Sequence, residues 1–311
     1  METARRIQQG FRRDSLADLR IGEITEHYQT TIGRSSLPGL FMRYPKFTEQ
    51  LGQILLHRAA TGWFAVAAFG QCAFIGFILV FYGTRTASGN FSRWNDKPLI
   101  DGYIADDSVG NLMFISHVLL AALVTLTGLV QLVPVVRKRL PSIHRWSGRV
   151  FLSVGLFLAV GGIWLAWIRG TRLSFISAFS TTVNGVLIVL FAVLAWRYAR
   201  RRQFAAHRRW ALRTFMVVSG VWFIRIGLMG WIIVNQAPRG MNGTLSGPAD
   251  IAITFGSYLI PLAVLECYLR AQRHGGALTT VVTTLLIVAS TLFTAVGVFG
   301  TITLMWWPHV V

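Results

Sequence analysis

The chain has 311 residues, of which 53% are apolar and only 14% charged. That is about half the charged fraction of a soluble domain, so the composition excludes an ordinary water-soluble fold. The net charge of +18 does not point to nucleic acid, because the positive residues sit in turns between apolar stretches, the pattern of a membrane protein.

Residues 1–58 read as a basic cytoplasmic segment with nine Lys/Arg through Arg58. Ile7, Phe11, Leu16 and Leu19 fall partly at helical spacing beside arginines, which fits either a short surface helix on anionic lipid or a solvated tail. No apolar core follows the early arginines, so a signal peptide is not expected. From residue 59 the chain reads as a seven-span, all-α membrane domain. Each span supplies the roughly 20 apolar residues that a bilayer crossing needs.

The first span covers 60–82, and a Gly-, Asn- and Asp-rich loop follows to Gly110. The second span, 113–136, carries His117 near its start and Gln131 near its end. A basic turn then leads to His144-Arg145-Trp146-Ser147-Gly148-Arg149-Val150-Phe151, which opens the third span, 147–168. The fourth, 175–196, is polar in its first half and contains Asn184; its serines and threonines can bond back to their own helix. A second basic seam, His207-Arg208-Arg209-Trp210-Ala211-Leu212-Arg213-Thr214-Phe215, opens the fifth span, 211–234, which contains Arg225. Spans 251–270 and 278–305 complete the domain. Glu266 is the one carboxylate inside an apolar span, and Cys72 and Cys267 read as packing residues without metal-type spacing.

The two seams share Trp-x-x-Arg-x-Phe and lie 64 residues apart. Spans two and three therefore read as one helical hairpin repeated, in parallel orientation, as spans four and five, forming a four-helix core over 113–234. The basic loops alternate with acidic ones. By the positive-inside rule the N-terminus is cytoplasmic and the C-terminus external, with only Arg169 and Arg172 dissenting.

The run His117…Gly128…Gln131, then His144-Arg145-Trp146-x-Gly148-Arg149, then Ala206-His207-Arg208-Arg209-Trp210-x-x-Arg213, then Ile224-Arg225 resembles the bacterial domain-of-unknown-function 2306 family of predicted membrane proteins. The resemblance covers roughly 113–234 and implies a multi-pass protein of the bacterial inner membrane. It supplies no reaction and no cofactor.

Two polar levels follow from helix rise. His117 and Arg225 each lie roughly 8 Å inside the external face, with Asn184 slightly deeper. No membrane carboxylate opposes Arg225 there, so an anionic ligand, an aqueous cavity or snorkelling to the headgroups must compensate it. At the cytoplasmic level His144, His207, Arg149, Arg213 and Gln131 form a basic pocket expected between spans two, three and five, with Glu266 placed to neutralise one arginine. Two chemistries fit this pocket. In one, His144 and His207 are the axial metal ligands of a b-type haem whose propionates the arginines hold. In the other, the pocket holds a quinone headgroup or an anionic lipid.

The expected function is thus a binding or redox-accessory membrane protein. A small-solute or lipid transporter using the Arg225 level is the alternative, and a structural subunit of a membrane complex is the third. The plain reading of both seams is interfacial Trp/Arg anchoring. No Gly-Lys-Ser/Thr phosphate loop, His-Glu-x-x-His helix or paired membrane carboxylates mark an enzyme.

Overall fold

The computed structural model describes residues 44–97 and 100–310, and the described chain is helical with no strand. The surface helix expected around residues 7–19 lies outside the described residues.

Helix α1 spans Tyr44–Phe77 and runs on through a π-helical turn, Ile78–Gly83, and a short helix, Thr84–Ala87. It passes residue 58 without a break, and Leu56 packs beside Ala271 and Ile287. Helix α2, Ser108–Leu132, starts where the Asp107 carboxylate accepts a hydrogen bond from the Gly110 N–H at 2.9 Å, satisfying an orphan donor of the first turn. It stops before Pro134, four residues earlier than the apolar run predicts, because proline cannot continue the hydrogen-bond ladder. Helix α3, Pro141–Trp167, opens with proline at its first turn, so His144 and Trp146 lie inside the helix rather than ahead of it. Ser174 and Ser177 form a reciprocal capping box that starts α4, Phe175–Arg200.

The expected fifth span is two helices. Helix α5, Phe204–Val218, and α6, Gly220–Asn235, meet at Ser219 with a 51° bend. The apolar run 211–234 predicts one straight crossing; the Ser219-Gly220 pair, of low helix propensity, permits the kink. Helices α7, Pro248–His274, and α8, Ala277–Gly300, follow, and α8 extends into a π-helical turn, Thr301–Trp306. Among the described residues six helices are long and apolar enough to cross a membrane, or seven if the bent α5–α6 pair is one crossing.

Consecutive helices α2, α3, α4 and α5 pack side by side. The ring closes at Gly128 of α2. A Cβ there would lie 2.9 Å from Phe151 of α3 and 3.3 Å from Phe215 of α5. Both phenylalanines are buried, and they are the equivalent seam residues. Helices α7 and α8 cover α6.

Candidate functional site

At the seam end, each tryptophan carries its arginine on the same helix face. The Arg149 guanidinium sits 4.7 Å from the Trp146 ring centre, and Arg213 sits 4.5 Å from Trp210. The environments then diverge. Trp146 and Arg149 are exposed, whereas Trp210 packs on Phe191. Arg213 donates from Nε and Nη2 to the two oxygens of Glu266, at 2.6 and 2.9 Å, a bidentate pair between α5 and α7. Glu266 thus neutralises one arginine, and that arginine is Arg213.

Both seams are fastened to the helix before them, by opposite means. Gln131 donates to the His144 carbonyl at 2.9 Å and to Ser147 Oγ at 2.6 Å. In the second hairpin His207 Nδ1 meets the Ala195 carbonyl at 2.9 Å. Ala195 occupies the position 64 residues beyond Gln131. The histidines themselves are one residue out of register, because the second seam has an extra arginine before its tryptophan. One residue is about 100° on a helix, so His144 and His207 are not equivalent positions. His144 lies within electrostatic range of His207, and its Nδ1 is buried with no hydrogen-bond partner among the described residues. A groove at this end, of about 620 Å³, lies between α3 and α4, lined by Leu152, Ala192, Trp196 and Arg197 among others. The pocket expected between spans two, three and five does not coincide with it, because Phe151 and Phe215 fill the space beside Gly128.

At the opposite end the carboxylates of Asp96 and Asp107 are taken by Arg85, Arg93 and Arg169. Arg225, on α6, is half-buried, and part of its surface stays accessible. Its guanidinium lies 5.2 Å from the Phe74 ring centre and donates to the Val221 carbonyl of its own helix. Its charge reaches His117 of α2 and Lys97 of the connecting loop. Burial, with Arg225 adding repulsion, lowers the Lys97 ammonium to about 8. His117 packs against Gly161 and Gly162 of α3: a Cβ on Gly162 would lie 3.3 Å from its ring, a tight contact, and one on Gly161 3.6 Å, an ordinary one. Its Nδ1 is buried and unpartnered. None of the four ion pairs among the described residues includes Arg225 or Lys97. The wall is aromatic, with Phe74 and Phe77 stacked on Trp306 at 5.5 and 5.6 Å; Trp306 Nε1 is another buried donor without a partner.

About one and a half helical turns from Arg225, the α5–α6 break is lined by amides. Gln71 donates to Ser219 Oγ at 3.2 Å. Asn184 lies against Gly220, where a Cβ would be 3.0 Å from its Nδ2. Gln71 Oε1, Asn184 Oδ1 and Trp222 Nε1 are buried without partners. The expected outer level therefore comes together as Arg225 with His117, and Asn184 belongs to the break beneath it. Lys97, Gln71 and Trp306 complete the region. Gln71 was legible as a lone amide in the apolar first span; Lys97 sits in a loop, and nothing in its local sequence marks it.

The family model described as predicted membrane protein (DUF2306) matches residues 114–266. That segment is a DUF2306 domain. It runs from Phe114 of α2 to Glu266 of α7, further than the resemblance over 113–234, and so takes in both members of the Arg213–Glu266 pair. His117, both seams, Asn184 and Arg225 fall inside it, while α1, Lys97 and α8 fall outside. No curated protein and no solved structure matches the chain.

Proposed function

We propose that this DUF2306 protein binds an amphiphile with an anionic head, an alkyl carboxylate or phosphate, at the Arg225 level, as the binding step of a small-solute or lipid transporter. The carrying observation is Arg225: a half-buried guanidinium within the fifth crossing, with a second cation, Lys97, in electrostatic range and no carboxylate paired to either among the described residues. A cation in the hydrocarbon costs ~2.5–3.5 kcal/mol on insertion scales. An anionic head held by the guanidinium fork would offset that cost. His117 and Trp306 Nε1 supply further hydrogen-bonding atoms, and the Phe74–Trp306–Phe77 wall suits an apolar tail. A helix broken beside the site is a recurring feature of transporters, whose substrates lie at such interruptions.

Dodecanoate tests this reading. It should raise the thermal midpoint of the detergent-solubilised protein, while neutral dodecanol should not. Arg225→Gln should remove the shift and Lys97→Gln should reduce it. A full shift in Arg225→Gln would rule the site out.

A second reading rests on the seam end. The Ala195 carbonyl fixes His207 through Nδ1, leaving Nε2 available, as in many metal-ligating histidines. His144 is nearby with an unpartnered ring nitrogen. One b-type haem between them would give a Soret band that changes on reduction, and a featureless spectrum of the purified protein removes this reading. The alternating loops further support an inner-membrane topology with the N-terminus cytoplasmic and the C-terminus external. Reporters fused after Val311 should then behave as external and those after Arg202 as cytoplasmic.

A further inference from the structure

The groove between α3 and α4 has features that the seam reading does not use. Its floor is buried and apolar, formed by Leu152 of α3 and Ala192 of α4. Its sides are Val193 and Trp196, 52% and 41% exposed, so it opens sideways from the bundle rather than inward. In a membrane helix an apolar groove opening sideways faces hydrocarbon, and its occupant there is an acyl chain. The volume, about 620 Å³, falls in the ~300–1,000 Å³ range of small-ligand sites.

The rim decides which lipid is held. Arg197, Arg200 and Arg201 all line the groove. Arg200 and Arg201 lie three and four residues beyond Arg197 and flank its face, at the C-terminal end of α4, where Arg201 is the capping residue. None takes part in an ion pair among the described residues. Like charges at this spacing repel, although the helix C-terminus favours cations. We infer that this groove is a binding site for one anionic glycerophospholipid, with an acyl chain on the Leu152–Ala192 floor and the phosphate under the three guanidinium groups. Ser153, on the α3 wall, leaves the space the chain occupies.

The site is tested on the whole protein in micelles holding equal amounts of phosphatidylglycerol and phosphatidylcholine, with retained lipid read by native mass spectrometry. The wild-type protein should retain phosphatidylglycerol in preference. The Arg197→Gln/Arg200→Gln/Arg201→Gln variant should lose that preference about tenfold or more, since each basic residue near a headgroup adds to anionic-lipid attraction. The Arg137→Gln/Lys138→Gln/Arg139→Gln variant removes the same charge from the exposed short helix after α2, Pro134–Arg139, and should keep the preference. Ser153→Trp keeps every arginine but fills the groove, and should release the lipid; it carries the test alone if the triple variant does not assemble. Equal losses from the two triple variants, retention by Ser153→Trp, or no preference in the wild type would overturn the inference.

Discussion

Arg213 and Arg225 are both arginines on the bent fifth crossing, yet replacing them by leucine should move stability in opposite directions. Arg213 is bidentate with Glu266, and the two side chains are 18% and 34% exposed. Removing one partner of a fully buried pair costs ~3–5 kcal/mol and of an exposed pair ~0–1 kcal/mol. With this intermediate burial Arg213→Leu should cost about 2 kcal/mol, because the Glu266 carboxylate is left unpaired. Arg225 has no such partner. Its leucine variant recovers the ~2.5–3.5 kcal/mol insertion cost. It forfeits about 1 kcal/mol of cation–π attraction to Phe74 and about 1 kcal/mol for the bond to the Val221 carbonyl. The ligand-free Arg225→Leu protein should therefore be more stable by about 1 kcal/mol, roughly a fivefold change in the folded-to-unfolded ratio. Unfolding in mixed dodecylmaltoside and sodium dodecyl sulfate micelles, without added lipid, measures both. A stabilised Arg225→Leu that no longer responds to dodecanoate is the signature of a residue kept for binding. If Arg225→Leu loses as much stability as Arg213→Leu, the guanidinium is structural and the reasoning fails.

Three further outcomes follow from the geometry. Gly297 of α8 sits where a Cβ would collide with the Ile226 carbonyl of α6, so Gly297→Ala should separate the two helices and cost about 1–3 kcal/mol in the same assay. The Asp107 carboxyl is held below its ordinary value, chiefly by the hydrogen bond from Arg169 and then by the Gly110 N–H. Its contribution is thus full above the ordinary carboxylate range and disappears as pH falls through the lower folded-state value, so acid unfolding should be less steep in Asp107→Asn. Lys97 has the opposite sense. Between about 8 and its ordinary 10.5 the unfolded chain holds the extra proton, so stability should rise with pH across that window in the wild type and not in Lys97→Gln. Dodecanoate affinity should fall over the same rise, as the site loses one positive charge.

Crossings, hairpins and seams are one-dimensional properties of the chain. Runs of apolar residues long enough for a bilayer, interrupted by arginine-rich turns, specify membrane helices whatever their neighbours do, because each helix satisfies its own backbone. The Trp-x-x-Arg spacing likewise sets the Arg149–Trp146 and Arg213–Trp210 contacts, since residues three apart share a face of any helix. Glu266, the one carboxylate in an apolar span of the sequence, was placed to neutralise one arginine; which one depended on how α7 packs. Tertiary structure decided that Arg213 takes Glu266 while Arg149 remains exposed. It decided that the fifth crossing bends at Ser219, where Gln71 of α1 meets it. It also brought Lys97 within range of Arg225, although 128 residues separate them in the chain. Hydropathy cannot show such partners: periodicity specifies which face of a helix is polar, and only packing between helices specifies what that face meets.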